Sequence, residues 1–146
     1  MFLQSATVVK QPADNSCLFH SLHYNLSYED LYNDIYKENT GFSLRTEVNE
    51  YIRDNPAHVI FPTPDVPETF AEAIAAEGYC RTDYFNRMAL NTSWGGMIEI
   101  CAVAELHEVN ISLFQRNDDP ERRFKWTGTF KYSLNNALTV TLKPHK

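Results

Sequence analysis

The sequence predicts a mixed α/β domain: helices fill the front half, strands the back, and the strands form a small central sheet flanked by the helices. Three observations predict it. Apolar residues recur at helical spacing through most of the chain before His107, the period changes to two immediately after it, and a second alternating, β-branched run stands at Leu138-Thr139-Val140-Thr141-Leu142. A length of 146 residues is enough for one domain with a continuous core, and no repeat or low-complexity linker divides it. Residues 1–146 are therefore read as a single domain.

Taken in order, Ala6 to Val9 offers a first strand. The first helix is predicted to begin at Cys17, where Asp14-Asn15-Ser16 supply turn and cap chemistry ahead of Leu18, Leu22 and Leu26. Ser27, with Asp30 three residues on, reads as the cap of a second helix that buries Leu31 and Ile35 and stops at Gly41. Ser43 opens a third, carrying Leu44, Val48, Tyr51 and Ile52 and ended by Pro56. The prolines at 62, 64 and 67 make His58 to Pro67 a loop or edge connection. A short helix with Phe70 and Ile74 ends near Gly78, and Tyr79 to Met88 is read as helical with Tyr84 and Met88 on one face. The most strongly signalled helix runs from Gly96 to His107, with Ile98, Cys101, Ala102 and Leu106 on one buried face. Val109, Ile111 and Leu113 then alternate with Asn110, Ser112 and Phe114 as a strand does. Asn117 to Pro120 is a turn, Phe124 to Trp126 and Phe130 to Leu134 are short strand candidates either side of Gly128, and Asn135-Asn136 turns the chain into Leu138 to Leu142.

Composition bounds the function. The formal charge of -6 repels phosphate backbones and argues against a nucleic-acid partner. Cysteines at 17, 80 and 101 form no disulfide framework and no Cys-x-x-Cys or His/Cys metal spacing, so no metal or other cofactor is expected and a reducing compartment fits. The N-terminal residues lack a basic region followed by an apolar one, and no apolar run reaches the roughly 18 residues of a span. A cytoplasmic protein without membrane insertion is expected, or one in a host cytoplasm if it is a viral or bacterial effector.

Cys17 is the first candidate for chemistry. A thiol in the first turn of a helix faces unpaired amides and aligned peptide dipoles, which favour its thiolate. The preceding loop, Asp14, Asn15 and Ser16, can offer backbone amides to a developing oxyanion. The competing reading is a small buried hydrophobe, the commoner fate of a single cysteine. His145, just past the last predicted strand, is placed to serve as a general base; its competing reading is a solvated histidine near a terminus. His20 and His23 follow Cys17 on the same helix and are read as pointing away from its tip, His107 ends a helix where a cation suits the dipole, and His58 lies in the proline-rich connection. Trp94-Gly95-Gly96 combines close backbone approach with an indole that is either a core plug or the wall of a groove.

These stretches together resemble the ovarian-tumour (OTU) cysteine peptidases. The nucleophile motif stands as Pro12-Ala13-Asp14-Asn15-Ser16-Cys17-Leu18-Phe19, and the second block as Trp94-Gly95-Gly96-Met97-Ile98-Glu99-Ile100 followed by an Ala-rich helix and the strand from Val109 to Phe114. Asn15 and the lead-in from Tyr79-Cys80 to Trp94 are similar to the branch of p97-associated OTU enzymes. The resemblance implies a papain-like fold and a thiol-dependent deubiquitinase that hydrolyses isopeptide bonds at the C-terminus of ubiquitin, with ubiquitin or polyubiquitin chains, or a ubiquitin-like modifier, as partner. It implies Cys17 as nucleophile, His145 as base, the Asp14–Ser16 backbone as oxyanion hole, and Trp94, Gly95 and Gly96 along the substrate groove. The family's histidine is followed by an aromatic residue and an orienting Asp or Asn, whereas here Lys146 follows His145. Three explanations stay open: the natural chain continues and is cut short here, another residue such as Asp14 orients the base, or the domain is a pseudoenzyme that binds ubiquitin without cleaving it. A cysteine peptidase acting on another modifier or on a polyprotein junction is a further alternative.

Overall fold

A computed structural model describes residues 2–3, 14–29, 41–63, 66–116, 124–130 and 138–142. The helix predicted at Cys17 runs as α1 (Cys17–Glu29), burying Phe19, Leu22 and Leu26. It continues through Ser27 rather than breaking there, so the second cap is not used. Leu31 and Ile35 lie outside the described residues, as do the strand expected at Ala6 to Val9 and the turns expected at Asn117 to Pro120 and at Asn135-Asn136.

The next helix, α2 (Gly41–Asp54), starts two residues earlier than Ser43 and buries Leu44, Val48 and Ile52. It packs on α1. The approach is close at Gly41, where a Cβ would lie 2.8 Å from His20 N. The connection His58 to Pro67 proves to be a hairpin, β2 (Val59–Thr63) and β3 (Val66–Thr69), paired antiparallel through Val59 with Thr69 and Ile60 with Glu68. Its prolines fit because a two-stranded ribbon is all edge and its register is irregular between Ile60 and Thr63, near Pro62. Thr69 then caps α3 (Phe70–Ala76) through a capping box with Glu72, and α4 (Arg81–Met88) follows.

The helix α5 (Met97–Leu106) corrects the one-face expectation, because every residue from Ile98 to Ala104 is buried. It is the axis of the core, packed against α2, α3, β2, β4 (Val109–Arg116) and β5 (Phe124–Phe130). Apolar side chains on all sides of one helix have this meaning. The first strand candidate, Phe124 to Trp126, runs on through Gly128 to Phe130 in β5, while residues 131–134 of the second lie outside the described residues; a register shift between Leu113 and Phe114 opposite Gly128 and Trp126 lets Phe114 become buried despite its place in the alternation. With β1 (Phe2–Leu3) and β6 (Leu138–Leu142), these strands form a four-stranded sheet, among the described residues, in the order β1-β5-β4-β6. The expected architecture is observed: a small central sheet flanked by helices. In it, β6 runs parallel to β4, from Val109 paired with Leu138 to Leu113 paired with Leu142, and packs against α1. The Cys17 helix and the strand leading to His145 are therefore neighbours.

Candidate active site

The chain enters α1 through a tightly bonded turn. Asp14 Oδ1 accepts the Ser16 N–H at 2.8 Å, and the Cys17 N–H donates to Asp14 O at 3.2 Å. The other carboxylate oxygen of Asp14 lies 3.2 Å from His20 Nε2. His20 thus reaches back to the turn, which corrects the expectation that it leaves the tip; one helical turn brings its ring alongside a carboxylate directed down the helix. The Cys17 thiol is free and half-buried at the first position of α1.

A second segment, Asn91 to Gly96, is laid over this turn. Trp94 Nε1 donates to Asn15 Oδ1 at 2.6 Å, and Asn15 Nδ2 donates to Thr92 O at 2.6 Å. Ser16 Oγ donates to Asn91 O at 3.0 Å. Trp94 is 68 % exposed, so it is not a core plug but a surface indole held by its N–H. Gly95 is the point of close approach: a Cβ there would lie 2.8 Å from Leu18 Cδ2 and 3.0 Å from Phe19 Cε2. Gly96 caps α5 in ordinary extended backbone, with its N–H donated to Glu99 Oε1 at 2.7 Å.

Two buried ionisable side chains hold this assembly from below, and the motif reading gave neither a role. Arg45, 1 % exposed, donates from Nη2 to Asn15 O (3.2 Å), Ser16 Oγ (2.9 Å) and Ser93 O (2.6 Å), and from Nη1 to Met88 O (3.1 Å). Its guanidinium carbon sits 4.4 Å from the centre of the Phe19 ring. The sequence signal for it was spacing: Arg45 stands three before Val48 and seven before Ile52, on the apolar face of α2. Glu99, fully buried, accepts from the Tyr84 hydroxyl and from the Gly96 amide.

Burial pushes the Glu99 carboxyl up to about 7, against the opposing pull of those two hydrogen bonds. For Cys17 the expected lowering does not prevail. Burial pushes the thiol up; the amides of Leu18 and of Cys17 itself pull it down as the helix-tip argument requires, but the negative charge of Asp14 adds to burial. A thiolate at neutral pH therefore calls for a cation beside the sulfur. Cys101, inside α5, is pushed up to about 12 by burial and the charges of Glu99 and Glu105.

Of the residues singled out from the sequence, Asp14, Asn15, Ser16, Cys17, Trp94, Gly95 and Gly96 come together at one tip. His145 lies outside the described residues, three past the end of β6. His107 Nε2 lies 2.6 Å from Glu47 Oε1, and His58 Nε2 lies 3.4 Å from Glu105 Oε2 with its ring stacked on Phe70, so both are engaged within the scaffold. Among the described residues no group of three or more His, Cys, Asp or Glu side chains is placed to hold a metal ion, and no helix is long and apolar enough to cross a membrane.

The sequence pattern of the OTU-like cysteine proteases matches residues 12–141, from the approach to Cys17 into β6. The chain belongs to the OTU-like cysteine protease family. It is thus a cysteine-type hydrolase of the OTU superfamily. Its fold is similar to several solved OTU structures. The viral OTU domain protease from Dera Ghazi Khan virus superposes with a TM-score of 0.58 at 20 % identity, over 94 % of this chain and 74 % of that one. The Hazara virus OTU bound to ubiquitin gives 0.59 at 22 %, over 94 % and 74 %. An OTU deubiquitinase from Wolbachia pipientis bound to ubiquitin gives 0.59 at 15 %, over 95 % and 89 %. No curated protein matches the chain by sequence.

Proposed function

We propose that the chain is a single-domain deubiquitinase that hydrolyses isopeptide bonds at the ubiquitin C-terminus, with Cys17 as nucleophile and His145 as base. The observation that carries this reading is the meeting of both motifs at one helix tip, where Trp94 is bonded to Asn15 within the turn that presents Cys17. Two of the similar OTU structures hold ubiquitin, which supports ubiquitin as the partner. The packing of β6 on α1 supports His145 as the base, since three residues beyond Leu142 extend about 10 Å.

In the proposed reaction the Cys17 thiolate attacks the carbonyl of the C-terminal glycine, and His145 protonates the lysine amine as the carbon–nitrogen bond breaks. Water, deprotonated by the same imidazole, then cleaves the thioester and restores the thiol. An imidazolium at His145 would supply the cation that the buried thiol calls for. The Ser16 amide is already donated to Asp14 Oδ1 and the Cys17 amide to Asp14 O, so the oxyanion donors of the turn fall to the amides of Asp14 and Asn15 unless Asp14 turns away. Asp14, paired with His20 and Ser16, has a part in shaping the turn beside any role in orienting the base. Trp94 and its glycines wall the groove for the extended ubiquitin tail. Asn15 and the Tyr79-Cys80 lead-in support kinship with the p97-associated branch, and the free thiols fit a reducing cytoplasm, that of a host included.

The test is cleavage of isopeptide-linked di-ubiquitin by wild type, Cys17→Ala and His145→Ala, with a ubiquitin-like modifier as control substrate. Wild type should cleave ubiquitin chains, Cys17→Ala should not, and His145→Ala should lose most of the rate. Cleavage by Cys17→Ala at the wild-type rate would sink the assignment. Ubiquitin binding without cleavage by wild type would leave a binding module, and cleavage of the control alone another modifier.

A further inference from the structure

Arg45 lies outside both family motifs, yet it is the most thoroughly bonded side chain beneath the Cys17 turn. A buried guanidinium carries a desolvation cost of several kcal/mol, and an apolar side chain of similar volume would fill the space at less cost. Its bonds show what it does there. None of its hydrogen bonds among the described residues goes to a carboxylate; all go to backbone carbonyls, the Ser16 hydroxyl and the Met88 thioether. The fork therefore fixes backbone positions in three segments that are distant in sequence: the turn before Cys17, the end of α4 and the start of the Trp94 loop. The guanidinium carbon lies over the Phe19 ring, which packs against the fork.

We infer that Arg45 is a positioning residue for the acyl transfer: by clamping Asn15 and Ser16 to Ser93 and Met88, it holds the Asp14–Ser16 turn in the shape that stabilises the oxyanion. The inference rests on the function proposed above. Arg45 makes no hydrogen bond to Cys17; its bonds go to Asn15, Ser16, Ser93 and Met88, so it acts through the turn. A lysine keeps the charge but is a single point that cannot reach Asn15 O, Ser93 O and Met88 O together.

The experiment compares wild type, Arg45→Lys and Ser16→Ala in a Cys80→Ser background, well below each melting temperature. It measures kcat and KM on ubiquitin carrying a C-terminal fluorogenic amide, and the pH profile of Cys17 alkylation by iodoacetamide, which needs no oxyanion site. A lost oxyanion donor costs roughly 100- to 1000-fold in kcat, so a displaced one is expected to cost roughly ten- to hundredfold, with KM within about twofold. The alkylation midpoint should stay at the wild-type pH. Ser16→Ala, which removes a clamp partner and little volume, should move kcat in the same direction and keeps the test available if Arg45→Lys does not fold. Wild-type kcat in the folded variants, or a shifted alkylation midpoint, overturns the positioning role while the parent reading stands. A wild-type protein without turnover defeats the parent reading and this inference with it.

Discussion

Adding one methyl group at Gly95 should weaken the fold, whereas the same addition at Gly96 should not. The Cβ of an alanine at 95 would lie 2.8 Å from Leu18 Cδ2 and 3.0 and 3.1 Å from two Phe19 ring atoms. The Leu18 methyl is the end of a flexible side chain and can swing away. Phe19 cannot: it is fully buried in α1, with the Arg45 guanidinium over its ring. Relief must come from moving the Trp94 loop or the first turn of α1, and overpacking of this kind costs about 1–3 kcal/mol. At Gly96 the nearest atom to a new Cβ is Glu99 Oε1 at 3.9 Å, and the backbone is extended with φ -144°. There the poorer capping by alanine and the lower entropy of the unfolded chain offset each other to within about 0.5 kcal/mol. The unfolding entropy of a 146-residue domain is roughly 0.3 kcal/mol/K, so ~2 kcal/mol at Gly95 lowers Tm by about 6 °C. Thermal melts followed by circular dichroism measure both variants. A Gly95→Ala Tm within about 1 °C of wild type, or equal losses at the two positions, would refute the close-approach argument.

Two further outcomes follow from the buried groups. Because the Glu99 carboxyl is pushed up to about 7, the folded protein keeps a proton that the unfolded chain releases near 4.5; stability from this group is fully present below that pH and is lost as pH rises through about 7. Urea melts between pH 5 and 8 should show wild type losing roughly 3 kcal/mol more than Glu99→Gln across that window, and parallel profiles would contradict the assignment. Among the three cysteines, native-state alkylation at pH 8 should label exposed Cys80 and half-buried Cys17 and spare Cys101, buried inside α5 and pushed up to about 12, until the protein unfolds. Peptide mapping by mass spectrometry decides it, and early labelling of Cys101 would contradict the packing of α5.

Where one local pattern dominates, the sequence was legible. The change of period at His107 located both α5 and β4, and the alternation of Leu138 to Leu142 coincides with β6. Asp14-Asn15-Ser16 located the start of α1 because cap chemistry is local. The hairpin over Val59–Thr69 was hidden by its prolines, which forbid a central strand but not a ribbon that is two-stranded among the described residues. Trp94 stayed open between core and groove on its own residues because an indole suits both; its bond to Asn15, 79 residues away, and its exposure settle its place at the surface. The Gly96–Glu99 cap is local, but the burial of Arg45 and Glu99 depends also on Asn15, Ser93 and Tyr84 from other segments, and no local pattern supplies those. The thiol of Cys17 shows the same divide: the helix tip was readable, while the burial that outweighs it is a property of the assembled fold.

Reaction with ubiquitin bearing a thiol-reactive electrophile at its C-terminus, followed by peptide mapping, tests Cys17 as nucleophile and ubiquitin as substrate together. One covalent adduct is expected, on Cys17, absent from Cys17→Ala and not formed with the corresponding ubiquitin-like modifier. An adduct on Cys80, an adduct that persists in Cys17→Ala, or no adduct at all would contradict it.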